Sequence, residues 1–125
     1  MNRLSILLYC LFLADWASAG EQLLNIELKY GASRTVHSGF SIHFAAMVGD
    51  SRCPADRQCI WPGNARIELE LSSGSDRESV HLNTFLHPRS ARYHGFLITF
   101  EDLKPHLFSG QTAKEGDYTA VLSVK

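Results

Sequence analysis

Ala65-Arg66-Ile67-Glu68-Leu69-Glu70-Leu71 alternates apolar and charged side chains without a break. Successive side chains of an extended strand point to opposite faces, so this stretch predicts a strand with one buried and one solvated face. The same period of two recurs on both sides of it. Leu24, Ile26, Leu28 and Tyr30 alternate with Asn25, Glu27 and Lys29, and Phe40, Ile42, Phe44, Ala46 and Val48 alternate with Ser41, His43 and Ala45. Downstream come Val80 with Leu82, then Phe96, Ile98 and Phe100, then Tyr118, Ala120, Leu122 and Val124. Arg34 to His37 adds a short strand. Gly31-Ala32-Ser33, Ser38-Gly39 and Ser72-Ser73-Gly74-Ser75-Asp76 supply turn residues between the runs. Glu101 to Phe108 has room for one helical turn, limited by Pro105. About seven strands and no amphipathic helix predict an antiparallel β-sandwich or partly closed barrel.

The chain has 125 residues and a formal net charge of -1. Its beginning predicts a secretory signal peptide over 1–19. Arg3 gives a short positive start, Leu4 to Leu13 is almost entirely apolar, and Ala17-Ser18-Ala19 is a small-residue cleavage site. A membrane anchor is the competing reading, but the apolar run is too short to span a bilayer and Asp15 interrupts its far end. Lipidation needs a small residue before the cysteine, and Cys10 follows Leu8-Tyr9. Cleavage before Gly20 leaves a single β domain over 20–125, with no later segment apolar enough to cross a membrane. The near-zero charge balance disfavours nucleic acid as a partner. The expected location is the periplasm or the extracellular medium.

Removing the leader leaves Cys53 and Cys59 of the three cysteines. In an oxidising compartment such a pair is expected to form a disulfide. Metal or redox pairs usually show C-x-x-C spacing or further ligands nearby, and five intervening residues argue against both. The bridge clamps the long irregular segment Gly49 to Gly63. Trp61, two residues after Cys59, has two readings: a plug that packs over the bridge and closes one end of the core, or part of a preformed recognition loop. Arg52, Asp56, Arg57 and Trp61 are the candidate partner-binding residues.

The segment Asp50-Ser51-Arg52-Cys53-Pro54, followed by Cys59, Trp61, Gly63 and Ala65, resembles a family of small exported bacterial proteins and lipoproteins, mostly labelled uncharacterised. The resemblance continues through Leu82-Asn83-Thr84, Pro88-Arg89-Ser90, Leu103-Lys104-Pro105 and Asp117-Tyr118-Thr119-Ala120. Many members have alanine where this chain has Pro62, and some carry a lipidation cysteine that this chain lacks. The resemblance implies a bacterial envelope location and a β fold. It implies no activity.

Chemistry-bearing patterns are sparse. The six histidines include no H-x-H or H-E-x-x-H spacing, and solvated surface histidines are the expectation, although His87 and His94 could converge around one loop. No segment resembles a nucleophile elbow. Glu68 and Glu70 share a strand face with Arg66, which reads as solvated sheet surface. His87 to His94 is locally basic and reads as a solvated loop, with an anion site as the alternative. No catalytic, metal or cofactor-binding residue is therefore expected. The expected role is a non-catalytic exported module that binds an envelope or extracellular protein through Asp50–Gly63 and Phe85–His94. The alternative is a small inhibitor of an extracellular protease, with Pro54 to Gln58 as its resistant loop.

Overall fold

In strand β4 (Ala65–Ser73), Ala65, Ile67, Leu69 and Leu71 are buried while Arg66 is exposed. The computed structural model describes residues 23–125. The expected signal peptide 1–19, the cut before Gly20 and Cys10 lie outside the described residues. The other strands are β1 (Leu24–Lys29), β2 (Ser33–Val36), β3 (Phe40–Asp50), β5 (Asp76–Asn83), β6 (Ser90–Tyr93), β7 (Phe96–Lys104) and β8 (Thr119–Val124). They form two four-stranded antiparallel sheets, in the orders β1-β8-β7-β6 and β2-β3-β4-β5. The fold is a β-sandwich that does not close.

The inward faces of the two sheets make one core, with Phe44, Phe100, Ile42, Leu69 and Leu122 among its fully buried side chains. Each such side chain contributes roughly 1.5–3 kcal/mol relative to exposure. Consecutive strands run in opposite directions, so their connections collect at two ends. The turn pole holds the short links at 37–39, 74–75 and 94–95. The loop pole holds the short link 30–32 and the long links 51–64, 84–89 and 105–118.

Three local expectations change. An eighth strand, β6, lies inside the segment read as a loop over Phe85 to His94. Only Tyr93 of its residues is fully buried, so it carries almost no apolar alternation. No helical turn forms at Glu101. β7 runs on to Lys104, with a register shift between Phe100 and Asp102. The shift turns Leu103 into the core one residue out of phase, and the resulting apolar spacing of three imitates a helix. In β3, register shifts after Phe44 and Met47 likewise break the pattern: Met47 packs against the core and Val48 is exposed.

Candidate functional site at the loop pole

The β3–β4 connection begins as an extension of its own hairpin. Ser51 N donates to Asn64 O and Cys53 N to Pro62 O, each at 2.8 Å. The two legs approach closely at Gly63, where φ is +75° and a Cβ would stand 2.1 Å from the Ser51 carbonyl oxygen. Only glycine fits there. Cys53 and Cys59 are bonded, which closes off the excursion beyond the legs.

Polar side chains then tie this loop to its neighbours. Arg52 donates to both Asp50 carboxylate oxygens, Nε at 2.8 Å and Nη2 at 3.0 Å. Its Nη1 also donates to the Leu103 carbonyl, and Nη2 to the Pro105 carbonyl at 2.9 Å. Tyr118 completes the cluster by donating its hydroxyl to Asp50 Oδ2 at 3.0 Å. Burial pushes the Asp50 carboxyl upward, but the Arg52 hydrogen bonds and charge outweigh it and hold the group below 3.8. The Tyr118 phenol is raised by burial and by its bond to Asp50.

A second tie runs through two asparagines. Asn64 Nδ2 donates to Asn83 Oδ1 at 3.0 Å, and buried Asn83 donates its Nδ2 to the Pro88 carbonyl at 3.0 Å. Asn64 Oδ1 accepts from the backbone N–H groups of both Phe85 and Leu86. This fixes the 84–89 loop with its two large apolar side chains turned outward. A third tie joins the 51–64 and 105–118 loops. Ser109 donates N–H and hydroxyl to Asp56 Oδ1 at 2.8 and 3.0 Å, Arg57 Nε donates to Ser109 Oγ at 2.7 Å, and Ala55 N donates to the Leu107 carbonyl. The Ser109 N–H bond, chiefly, lowers the Asp56 pKa. Gln111 closes the turn at Phe108 by accepting from its N–H.

These ties hold out a set of uncovered apolar side chains. Ile60 is fully exposed at 106%, and Trp61, Phe85, Leu86 and Phe108 are each about half exposed. Trp61 meets Phe85 edge-on, with ring centroids 5.9 Å apart. Phe85 and Phe108 of this rim also wall a cleft of about 490 Å³, together with Pro54 and Pro62 and with Asp102 and His106 on its polar side. His106 Nε2 meets the two Asp102 oxygens at 2.8 and 3.0 Å.

The four candidate residues therefore separate. Trp61 stands on the rim with half its surface uncovered, Arg52 is turned inward as a staple, and Asp56 and Arg57 are pinned at the Ser109 junction. Ile60, Phe85 and Leu86 lie within the two loops expected to bind but are not singled out by the sequence, and Phe108 lies outside both, because single apolar residues in turn-rich segments carry no period. Asn64 and Asn83 went unread as well. The one available signal was an asparagine at the mouth of a strand, directly after the constrained Gly63.

The histidines do not gather. His87 lies on the loop pole, whereas His94 Nε2 meets Asp76 at the turn pole, 3.1 Å away. Tyr93 donates to the same Asp76 oxygen at 2.8 Å, and burial together with that bond pushes its phenol up to about 12. Among the described residues, no three metal-ligating side chains form a group. No helix there is long and apolar enough to cross a membrane. No protein-family model matches this sequence, and no curated protein or solved structure matches it either.

Proposed function

We propose that the protein is a non-catalytic exported module that captures a partner protein at its loop pole. The observation that carries this reading is the set of uncovered apolar side chains on its loops, Ile60, Trp61, Phe85, Leu86 and Phe108, of which Phe85 and Phe108 wall a cleft and Phe85, Leu86 and Phe108 are positioned by polar ties. Large apolar side chains clustered in the open mark interaction sites, and holding them in position beforehand lowers the entropy lost on binding. The polar groups around the cleft are committed to one another. His106 faces Asp102, but among the described residues no hydroxyl or thiol is hydrogen-bonded to it, and Ser109 Oγ is engaged by Asp56 and Arg57. The Cys53–Cys59 bond supports export, since such bonds persist in oxidising compartments.

The test is capture from native envelope and culture medium by the oxidised protein, followed by reconstitution with the purified captured protein. Trp61→Ala and Phe85→Ala are expected to abolish the reconstituted complex while leaving the melting curve nearly unchanged. A complex that both variants form as well as wild type refutes this reading.

Ile60 favours a second reading, a protease inhibitor. It is fully exposed directly after the disulfide-bonded Cys59, a suitable position for filling an aliphatic specificity pocket. The inhibitory segment is then Gln58 to Ile60 rather than Pro54 to Gln58, because Asp56 and Arg57 are backed by Ser109. Rapid cleavage after Ile60 by proteases with aliphatic pockets, without inhibition, removes it.

A further inference from the structure

We infer that the cleft at the loop pole takes a cationic side chain, lysine or arginine, from an otherwise apolar segment of the partner. This rests on the binding-module reading and follows from which charges of the cleft wall are already neutralised. The ionisable side chains that line it are Asp50, Arg52, Asp102 and His106. Asp50 and Arg52 neutralise each other through two hydrogen bonds, and Arg52 also reaches the Leu103 and Pro105 carbonyls. Their side chains keep only 14% and 16% of their surface exposed, so this pair is closed to a ligand. Asp102 differs. Its side chain is 40% exposed, and its partners are the Leu103 N–H and the His106 imidazole. Among the described residues, no lysine or arginine forms an ion pair with it.

The cations nearby are matched by acids of their own. Arg57 and Asp56 meet at Ser109, Lys104 pairs with Glu27, and Lys114 stands next to Glu115 and close to Asp117 in sequence. Arg89 does not line the cleft. The cleft thus keeps one accessible carboxylate without a fixed countercharge. Phe85 and Phe108, each about half exposed, form part of the same wall. Aromatic rings beside a carboxylate favour a cation: the ring quadrupole attracts it, the carboxylate pairs with it, and the methylene stem of lysine or arginine packs on the apolar surface. A wholly apolar partner would cover Asp102 without adding a countercharge, which is costly. An acidic partner would meet like charge in the cleft. From the cleft the partner segment continues over Phe85 to Trp61, which meets that ring edge-on.

The experiment uses the oxidised protein and synthetic peptides with one Leu/Phe core that carries a central lysine, its side-chain-acetylated form or glutamate. Lysine peptides are expected to bind about tenfold more tightly than acetylated ones at low salt, with the gap narrowing at high salt and glutamate peptides weakest. Asp102→Asn keeps an acceptor for the Leu103 N–H, so it should keep the wild-type melting curve while bringing the lysine and acetyl-lysine affinities together. Phe108→Leu guards against misfolding of that variant: it changes an exposed side chain and should lose part of the preference. Trp61→Ala should weaken binding of every peptide. A lysine preference that survives undiminished in both Asp102→Asn and Phe108→Leu overturns the inference. Equal affinity for all three peptides, with Trp61→Ala still disruptive, overturns the cationic assignment and leaves the binding pole standing. Wild-type affinity in Trp61→Ala removes the pole itself. Spermidine bound as tightly as the lysine peptide overturns the inference in favour of a free polyamine, and binding to no probe overturns it outright.

Discussion

The two ends of the sandwich connect strands in opposite ways. At the turn pole the links are two or three residues long and combine local backbone geometry, Gly74 at φ +58° and His94 at φ +48°, with a few cross-ties, from Tyr93 and His94 to Asp76 and from Ser73 to the Gly39 carbonyl. At the loop pole three of the four links are long and irregular, the 30–32 turn being the exception, and tertiary hydrogen bonds supply what local geometry does not. Arg52 reaches carbonyls 51 and 53 residues away, and Asn64 reaches Phe85 and Leu86 across 21 and 22. Length alone therefore does not make a loop loosely held. The large apolar side chains exposed on the loops also sit at the cross-tied end, where a binding surface gains most from being fixed in advance.

The contrast can be broken most sharply with alanine at two glycines of similar backbone conformation. Gly63→Ala forces a methyl into the Ser51 backbone, and we expect a loss of about 4 kcal/mol in urea denaturation. Gly74→Ala meets open space and should cost only about 1 kcal/mol, from its left-handed φ. Comparable losses at the two positions would mean that the loop pole is no more constrained than the turn pole.

Arg52→Ala should come second, at about 3 kcal/mol, because it strands the Asp50 carboxylate and the carbonyls of Leu103 and Pro105. The same cluster predicts a pH response. Asp50 titrates lower in the folded protein than in the unfolded chain, so its contribution is complete above pH 3.8 and disappears as the pH falls through the folded value. Asp50→Asn should therefore lose the part of the acid-unfolding slope that lies below 3.8. Replacing both Cys53 and Cys59 with serine should remove about 2.4 kcal/mol of loop-closure entropy, less than Arg52→Ala. The reverse order would make the bridge, rather than the polar ties, the principal constraint on the pole.

The sandwich was largely legible because β1, β4, β8 and the first half of β3 keep strict alternation against a single core. Legibility failed where a register shift changed the phase, at Leu103 and Val48, and where a strand had almost no apolar content, as in β6. At the loop pole, the disulfide and Trp61 could be read from cysteine spacing and residue type. The inward turn of Arg52 could not, because its partners are backbone carbonyls that any residue could supply at that distance. The same holds for Asn64: nothing about its neighbours in sequence shows that it positions Phe85 and Leu86.

The pairing of Leu24 with Val124 places the start of β1 and the finish of β8 side by side at the turn pole. A fluorophore, bead or carrier attached beside Leu24 or Val124 would thus leave the loop pole facing outward. The same closeness allows Leu24 and Val124 to be joined by a short linker in a chain trimmed to these strands and reopened at the 74–75 turn, giving a circular permutant whose loop pole is undisturbed.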